Sequence, residues 1–303
     1  MQMAETAAMN ESRARVRAMV RLARPHQWTK NLLVFAALVF SRRLFNYRDA
    51  VLATLAFAAF CALASFAYAL NDIMDREADR VNPEKRERPL ASGELRVRDA
   101  GVFAACLGLG ALGLGAALGW RFIAIAFAYI GLQFAYSLWA KHVVILDVIA
   151  VALGFVLRAF AGGVAIGVVV SPWLIFITFV LALFLALSRR RHELTVLSGA
   201  AREHREALGE YSVRLIDQML AIVAGATLVG YMIYSASAEV EAKLGTHYQY
   251  LTVPYVVFGV LRYLYLVQER DEGGDPSLML LSDRQLLASV VLWIGTEILL
   301  LYV

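Results

Sequence analysis

Apolar blocks of about 17–25 residues recur along the whole of this chain, and that is the length a helix needs to cross the hydrocarbon core of a bilayer. The blocks lie at roughly 30–46, 50–72, 99–118, 121–139, 143–168, 172–188, 213–236, 249–267 and 286–303. With 60% hydrophobic residues and a mean hydropathy of +0.62, the chain stands far above a soluble domain. These features predict an all-α, polytopic membrane protein of about nine transmembrane helices, with no room for a separate soluble domain. Residues 25–303 are expected to form a single transmembrane domain, preceded by a cytoplasmic or interfacial segment over 1–24.

Lysine and arginine set the orientation. With the N-terminus taken as cytoplasmic and sides alternating, the cytoplasmic segments hold Arg13, Arg15, Arg17, Arg21, Arg24 and Lys30. They also hold the basic loop 76–98, Lys141, the loop 189–214, Arg270 and Arg284. The opposite side holds only Arg42, Arg43, Arg48, Arg121 and Lys243, so the bias predicts N-in, C-out insertion. The net charge of +4 then reflects topology and anionic ligands, not nucleic acid. The first 24 residues lack an apolar h-region or cleavage site and do not read as a signal peptide. Residues 12–24 read as a basic amphipathic helix on the cytoplasmic leaflet. Cys61 and Cys106 lie in apolar runs without metal or redox spacing, as buried bystanders do.

Directly after the second block comes Asn71-Asp72-Ile73-Met74-Asp75-Arg76-Glu77-Ala78-Asp79. On a continuous helix Asp72, Asp75 and Asp79 fall within about 60° of one another, with Tyr68 one turn earlier on the same side. Carboxylates stacked this way repel unless something positive sits between them, and acids at the mouth of a span are usually functional. Their hard oxygens suit Mg²⁺, which commonly bridges a few protein acids to a substrate's phosphates. The alternative is a solvated acidic helix end, which the helix dipole opposes. Asn71 and Asp72 still belong to the apolar run, which favours a cation site.

Arg24-Pro25-His26-Gln27-Trp28-Thr29-Lys30-Asn31 leads into the first block, with Pro25 suited to a first turn and Trp28 to the interface. Lys30 and Asn31 either point inward at a phosphate or, for Lys30, snorkel to the interface. The loop from Arg80 to Gly93 carries Arg80, Lys85, Arg86 and Arg88 close behind the acids. Bases that neutralise an anion beside acids that hold a cation are what a Mg²⁺-bound diphosphate requires; positive-inside charge is the alternative. Tyr136 to His142 reads as a short cytoplasmic turn containing Lys141, and His142 as interfacial. Asp147 and Arg158 lie nearly in line on the next helix, with Gly154 and Gly162 along the same stripe. They face a wet cavity or form a structural ion pair, not lipid. Three consecutive arginines, Arg189, Arg190 and Arg191, end the sixth block and spread around a helix, so one or two can reach a phosphate. The loop 268–285 reads as flexible and polar, without chemistry. No Gly-rich nucleotide loop, Ser/His/Asp arrangement or His/Cys metal cluster is visible in the sequence.

Taken together, these residues resemble the UbiA-type intramembrane prenyltransferase superfamily, and within it the bacterial decaprenyl-phosphate phosphoribosyltransferase branch. The resemblance covers essentially the whole chain. It rests on Arg24-Pro25-x-Gln27-Trp28-x-Lys30-Asn31, Asn71-Asp72-x-x-Asp75-x-x-x-Asp79 and Lys85-Arg86-x-Arg88-Pro89. Tyr136-x-x-x-x-Lys141-His142 and Arg158-Ala159-x-Ala161-Gly162-Gly163 extend it. It implies a central cavity opening to the cytoplasmic side. Asn71, Asp72, Asp75 and Asp79 would hold Mg²⁺, and Lys85, Arg86 and Arg88 would cap the diphosphate. Lys30 and Lys141 would grip a phosphate and complete the catalytic set with Asp72 and Asp75. Tyr68, Arg80, Tyr136, Arg158 and Arg189–Arg191 would contact substrate.

Aromatic prenyltransferases resembling this fold carry a second Asp-rich motif where this chain has Ser188-Arg189-Arg190-Arg191-His192-Glu193. Bases there suit the 5-phosphate of a sugar donor. The resemblance thus implies transfer of 5-phosphoribose from phosphoribosyl diphosphate to a polyprenyl phosphate for cell-wall biosynthesis, in a bacterial inner membrane. The bilayer is a partner of the chain in that picture, and a homo-oligomer stays open. An aromatic or quinone prenyltransferase and a transporter are the competing readings. Broken helices repeated in the two halves would mark a transporter.

Overall fold

The computed structural model describes residues 2–82, 85–197 and 209–302; Pro83, Glu84 and the stretch 198–208 of the basic loops named above lie outside them. α1 (Gln2–Ala23) leads through a 3₁₀ segment (Pro25–Phe35) and a short α2 (Ala36–Phe40) to α3 (Tyr47–Met74) and α4 (Arg76–Val81). Next come α5 (Val97–Leu118), α6 (Trp120–Leu138), α7 (Leu146–Ala165) and α8 (Pro172–Leu197). The chain closes with α9 (Val213–Ser235), α10 (Ala238–Leu244), α11 (Val253–Glu269), α12 (Pro276–Ser282) and α13 (Arg284–Tyr302). No strand occurs among the described residues.

Among the described residues eight helices are long and apolar enough to cross a membrane: α3, α5, α6, α7, α8, α9, α11 with the 3₁₀ turn before it, and α13. The protein is a multi-pass membrane protein. The first apolar block is built differently from the others. Pro25 to Phe35 winds as a 3₁₀ helix, which rises about 2.0 Å per residue against 1.5 Å in an α-helix, so this segment and α2 together advance about 30 Å. The segment starts where Arg24 meets Asp72 near the end of α3, and finishes where the Tyr302 hydroxyl donates to the Val39 carbonyl at 2.8 Å. It therefore runs from one end of the bundle to the other without a regular α-helix.

Packing explains how that irregular segment is held. A Cβ on Gly162 of α7 would lie 1.9 Å from the Val34 carbonyl oxygen, so glycine alone lets α7 press against this backbone. Gly162→Ala is therefore expected to cost about 1–3 kcal/mol or more, because backbone cannot yield as a side chain would. The check is thermal unfolding in detergent beside Gly154→Ala, whose added Cβ meets side-chain ends alone, Arg158 Nη1 at 3.4 Å and Leu132 Cδ2 at 4.0 Å. Equal unfolding midpoints for the two variants would refute the close approach.

Among the described residues the core is made of five apolar clusters, of which two are the largest. One joins the 3₁₀ segment, α3, α6 and α7 around Phe60, Phe122 and Tyr129, with the Phe60 and Phe122 rings edge-on at 5.9 Å. The other joins α8, α9 and α11 around Phe184, Ile216, Leu220 and Val267. α3 begins with a side-chain cap, the Asn46 carbonyl oxygen accepting from the Asp49 amide at 3.1 Å.

Two expectations are corrected here. The acidic stretch is not one continuous helix: α3 ends at Met74, Asp75 sits at φ −88° and ψ 5°, and α4 restarts at Arg76. A straight continuation would have stacked three carboxylates where both mutual repulsion and the helix dipole oppose them. The loop 268–285 is also not featureless, since it carries α12 and packs on the end of α8. A Cβ on Gly273 would lie 3.1 Å from the Ser188 carbonyl oxygen, and His192 Nδ1 lies 2.8 Å from the Asp271 carbonyl oxygen.

Candidate active site

At the end of α3 the acids are already met by arginine. Asp72 and Asp79 are both buried, and Arg88 bridges them through one guanidinium nitrogen, at 3.1 Å from Asp72 Oδ1 and 2.8 Å from Asp79 Oδ2. Arg24 adds a second contact to Asp72 Oδ1 at 2.5 Å and stacks over the Tyr68 ring at 4.9 Å. Lys85 Nζ lies 4.0 Å from Asp79, Arg80 pairs with the exposed Glu77 at 3.0 Å, and Arg86 is exposed. Asp75, half-buried at the helix break, has no ion pair among the described residues.

Among the described residues no group of three or more acids, histidines or cysteines is gathered tightly enough to hold a metal ion. The donor set still fits one. Asp72 and Asp79 present hard oxygens to a common nitrogen, and Mg²⁺ is usually held by one or two carboxylates with substrate phosphates completing its shell. The buried acids also need positive charge between them, which the two guanidinium groups supply here.

The three arginines at the end of α8 divide by role. Arg190 is buried, with Nε 2.7 Å from Asp147 Oδ2, Nη1 2.5 Å from Glu193 and Nη2 3.3 Å from the Tyr136 hydroxyl. Asp147 also accepts from the Tyr211 hydroxyl at 2.8 Å, and that hydroxyl accepts from the Ile145 amide at 2.6 Å. Ile145 stands at φ 70°, a conformation β-branched residues rarely adopt, at the start of α7. Arg191 is likewise buried, bound to Asp217 at 2.8 Å, Asp271 at 2.7 Å and the Val267 carbonyl at 2.7 Å. Arg189 is the exposed one, paired with Glu193 at 3.1 Å.

Asp147 and Arg158, in line on α7, do not pair. Arg158 is buried and donates to Asn31 at 2.7 Å, to the Tyr129 hydroxyl at 2.8 Å and to the Gly154 carbonyl at 2.8 Å. Asn31 is thereby fully buried against Arg158 and the Cys61 sulfur, turned into the bundle and not toward a phosphate.

Lys30 lines a cavity of about 610 Å³ between the 3₁₀ segment, α8, α9, α11 and α13, closed at one side by Pro276 and Leu280 of α12. The walls are mostly apolar and aromatic with a few hydroxyl side chains such as Thr178 and Ser289, and Lys30 and Lys243 are the only charged lining groups among the described residues. Lys141 is half-buried in the turn after α6, beside the helix that carries Tyr136. The structure thus brings Asp72, Asp79, Tyr68, Lys85 and Arg88 together around Arg24, and it puts Lys30 on the cavity wall and Arg189 with Glu193. It commits Arg158, Arg190 and Arg191 to internal partners.

Three participants escaped the sequence reading: Arg24, Tyr211 and Glu193. Arg24 did open a motif, but nothing in local spacing says it folds back 48 positions onto Asp72. Tyr211 and Glu193 carried no signal at all, since their partners lie on other helices or belong to an ordinary charged helix end.

Comparison with known proteins follows from this geometry. Residues 32–290 match the family model described as the UbiA prenyltransferase family. The decaprenyl-phosphate phosphoribosyltransferase of Corynebacterium glutamicum is 33% identical over 290 residues, covering 94% of this chain and 87% of that protein. That of Mycolicibacterium smegmatis is 32% identical over 292 residues, covering 93% and 91%. A UbiA homolog from Archaeoglobus fulgidus, solved bound to GPP and Mg²⁺, superposes with a TM-score of 0.68 at 21% identity, over 94% of this chain and 100% of that one. The apo structure of a UbiA homolog from Aeropyrum pernix gives 0.63 at 18% identity, over 91% and 97%. At such identities the structural likeness is one of fold.

Proposed function

The chain belongs to the UbiA prenyltransferase family and is a membrane-embedded transferase, and we propose that it moves 5-phosphoribose from phosphoribosyl diphosphate to a polyprenyl phosphate, releasing diphosphate. The observation that carries this reading is the placement of Lys30. It lines a largely apolar cavity, while the buried acid pair bridged by Arg88 and the exposed Arg189 at the end of α8 supply two separate charged loci. A donor charged at both ends of its ribose needs two such loci, and a prenyl chain needs the apolar walls. The Lys/Arg bias supports a site facing the cytoplasm of a bacterial inner membrane.

The acceptor phosphate is anionic at neutral pH, so no residue has to remove a proton from it. Its oxygen bonds to ribose C1 as the bond from C1 to the diphosphate oxygen breaks, and the electron pair leaves with the diphosphate. Negative charge grows on that leaving group, so preorganised cations give the largest contribution. Asp72 and Asp79, with Asp75 and Asn71 at the helix break, would hold Mg²⁺, which when bound neutralises the leaving diphosphate. Arg88 and Lys85 are in place to bind the same group, Lys30 and Lys141 to grip the acceptor phosphate, and Arg189 to meet the 5-phosphate. The cavity aligns the acceptor chain and excludes water, which adds a proximity gain.

Purified protein incubated with radiolabelled phosphoribosyl diphosphate, Mg²⁺ and polyprenyl phosphates is expected to place label in the lipid fraction. A competent farnesyl diphosphate donor with an aromatic acceptor, and no lipid label, would replace this reading with that of an aromatic prenyltransferase. Arg189→Gln is expected to weaken donor binding about tenfold, the value of one charge-assisted contact, while plain diphosphate binds as before. Unchanged donor affinity in Arg189→Gln would leave Arg189 as a topology signal.

A further inference from the structure

Arg24 stands in a place that neither its motif nor the proposed chemistry explains. It is the single residue between α1 and the 3₁₀ segment, held at φ 52° and ψ 60°, a left-handed conformation that non-glycine residues adopt at a cost. Two neighbours fix the turn around it. The Ser65 hydroxyl donates to the Ala23 carbonyl at 2.8 Å and accepts from Trp28 Nε1 at 3.0 Å. The side chain itself has Asp72 Oδ1 and the face of Tyr68, and no other ion pair among the described residues.

That same Oδ1 also accepts from Arg88. A divalent ion on this oxygen would be the third cation on one atom, so one guanidinium has to leave. Arg88 is tied to Asp79 as well as to Asp72, whereas Arg24 holds only Asp72. On leaving Asp72, Arg24 gives up one ion pair and keeps the face of Tyr68, whereas Arg88 would give up its bridge between two acids. From this we infer that Arg24 is a built-in counter-cation: it occupies Asp72 while the acid site holds no divalent ion, and it passes to the donor's diphosphate when ion and donor bind. This rests on the reading that Asp72 is a metal ligand.

Such a latch makes effects of opposite sign. While Arg24 sits on Asp72, the ion sees only the fraction of molecules in which it has let go, which lowers apparent affinity by that fraction. Arg24→Gln should therefore tighten binding of Mn²⁺ alone by at least about fivefold, yet weaken binding of phosphoribosyl diphosphate with Mg²⁺ by about tenfold. A purely structural residue would weaken both.

The experiment is Mn²⁺ binding to detergent-solubilised full chain by electron paramagnetic resonance, with donor binding by calorimetry, for wild type, Arg24→Gln, Arg24→Met, Arg24→Lys, Arg21→Gln and Asp72→Asn. Arg21, exposed and paired with Glu94 one turn earlier on α1, controls for loss of charge alone. Tightened Mn²⁺ binding in Arg24→Gln but not in Arg21→Gln, with weakened donor binding, supports the latch. Equal changes in both, or Mn²⁺ affinity unchanged or weakened in Arg24→Gln, overturn it while leaving the metal reading intact. Should Arg24→Gln fail to fold, Arg24→Met carries the test, because it removes the charge but keeps a long apolar stem to pack on Tyr68; Mn²⁺ affinity identical to wild type in it overturns the proposal, whereas Arg24→Lys, which keeps the charge, should bind Mn²⁺ as wild type does. Unaltered Mn²⁺ binding in Asp72→Asn instead removes the metal reading itself.

Discussion

Asp72→Asn is expected to lower turnover by at least about two to three orders of magnitude, the effect of removing a preorganised electrostatic group from a polar transition state. Asp72 is buried where Arg24 and Arg88 converge, and it is the acid on which two cations already compete for one oxygen. Asparagine keeps a side-chain oxygen, and the Arg24 and Arg88 side chains, 22% and 29% exposed, reach water, so neither is left as a fully buried unpaired charge. The variant should therefore elute as folded protein, with an unfolding midpoint near wild type. Wild-type protein in EDTA should show the same loss, restored by Mg²⁺. Activity that survives in EDTA, or in Asp72→Asn, would sink the assignment of this acid as a metal ligand.

The largest expected effect on stability lies at Arg190. Its side chain is 5% exposed and its partner Asp147 is 0% exposed, so Asp147 without Arg190 would be an uncompensated buried charge, and Arg190 without Asp147 would keep only Glu193. Arg190→Gln or Asp147→Asn should each cost about 3–5 kcal/mol, as removal of one member of a buried pair does. The cost at Asp147 includes the Tyr211 contact that spans Ile145, whose positive φ depends on the surrounding structure to hold it. The double replacement Arg190→Met with Asp147→Leu should recover much of that loss, because neither charge remains buried. Thermal unfolding in one detergent decides it. An Arg190→Gln midpoint equal to that of Arg189→Gln, whose side chain is 52% exposed, would show that the pair contributes little.

Much of the fold was legible because the bilayer imposes a length. Counting apolar residues found the long helices, and only the first block misled, since a 3₁₀ segment crosses with fewer residues than an α-helix and leaves no separate mark in composition. The acids were legible too, because carboxylates next to an apolar run are costly unless they serve a site. Their geometry was not. A helical wheel placed Asp72, Asp75 and Asp79 on one face, whereas the helix stops at Asp75 and turns the stretch into two short arms bridged by Arg88. Nothing in the local sequence marks that stop, which carries neither proline nor glycine.

The sequence by itself therefore determined that this chain is a helical membrane protein, where its charges cluster and which family its motifs resemble. Each of those depends on residues near one another in the chain. Only the tertiary structure decided which charge answers which. Asp147 takes Arg190 from 43 positions away and not Arg158 on its own helix, Arg158 takes Asn31, and Arg24 takes Asp72. It also singled out Arg189 from its two neighbours as the arginine left exposed. The reason is physical: in a low-dielectric interior a buried charge needs a partner at contact distance, and which partner is there depends on how distant helices pack, not on spacing along any one of them.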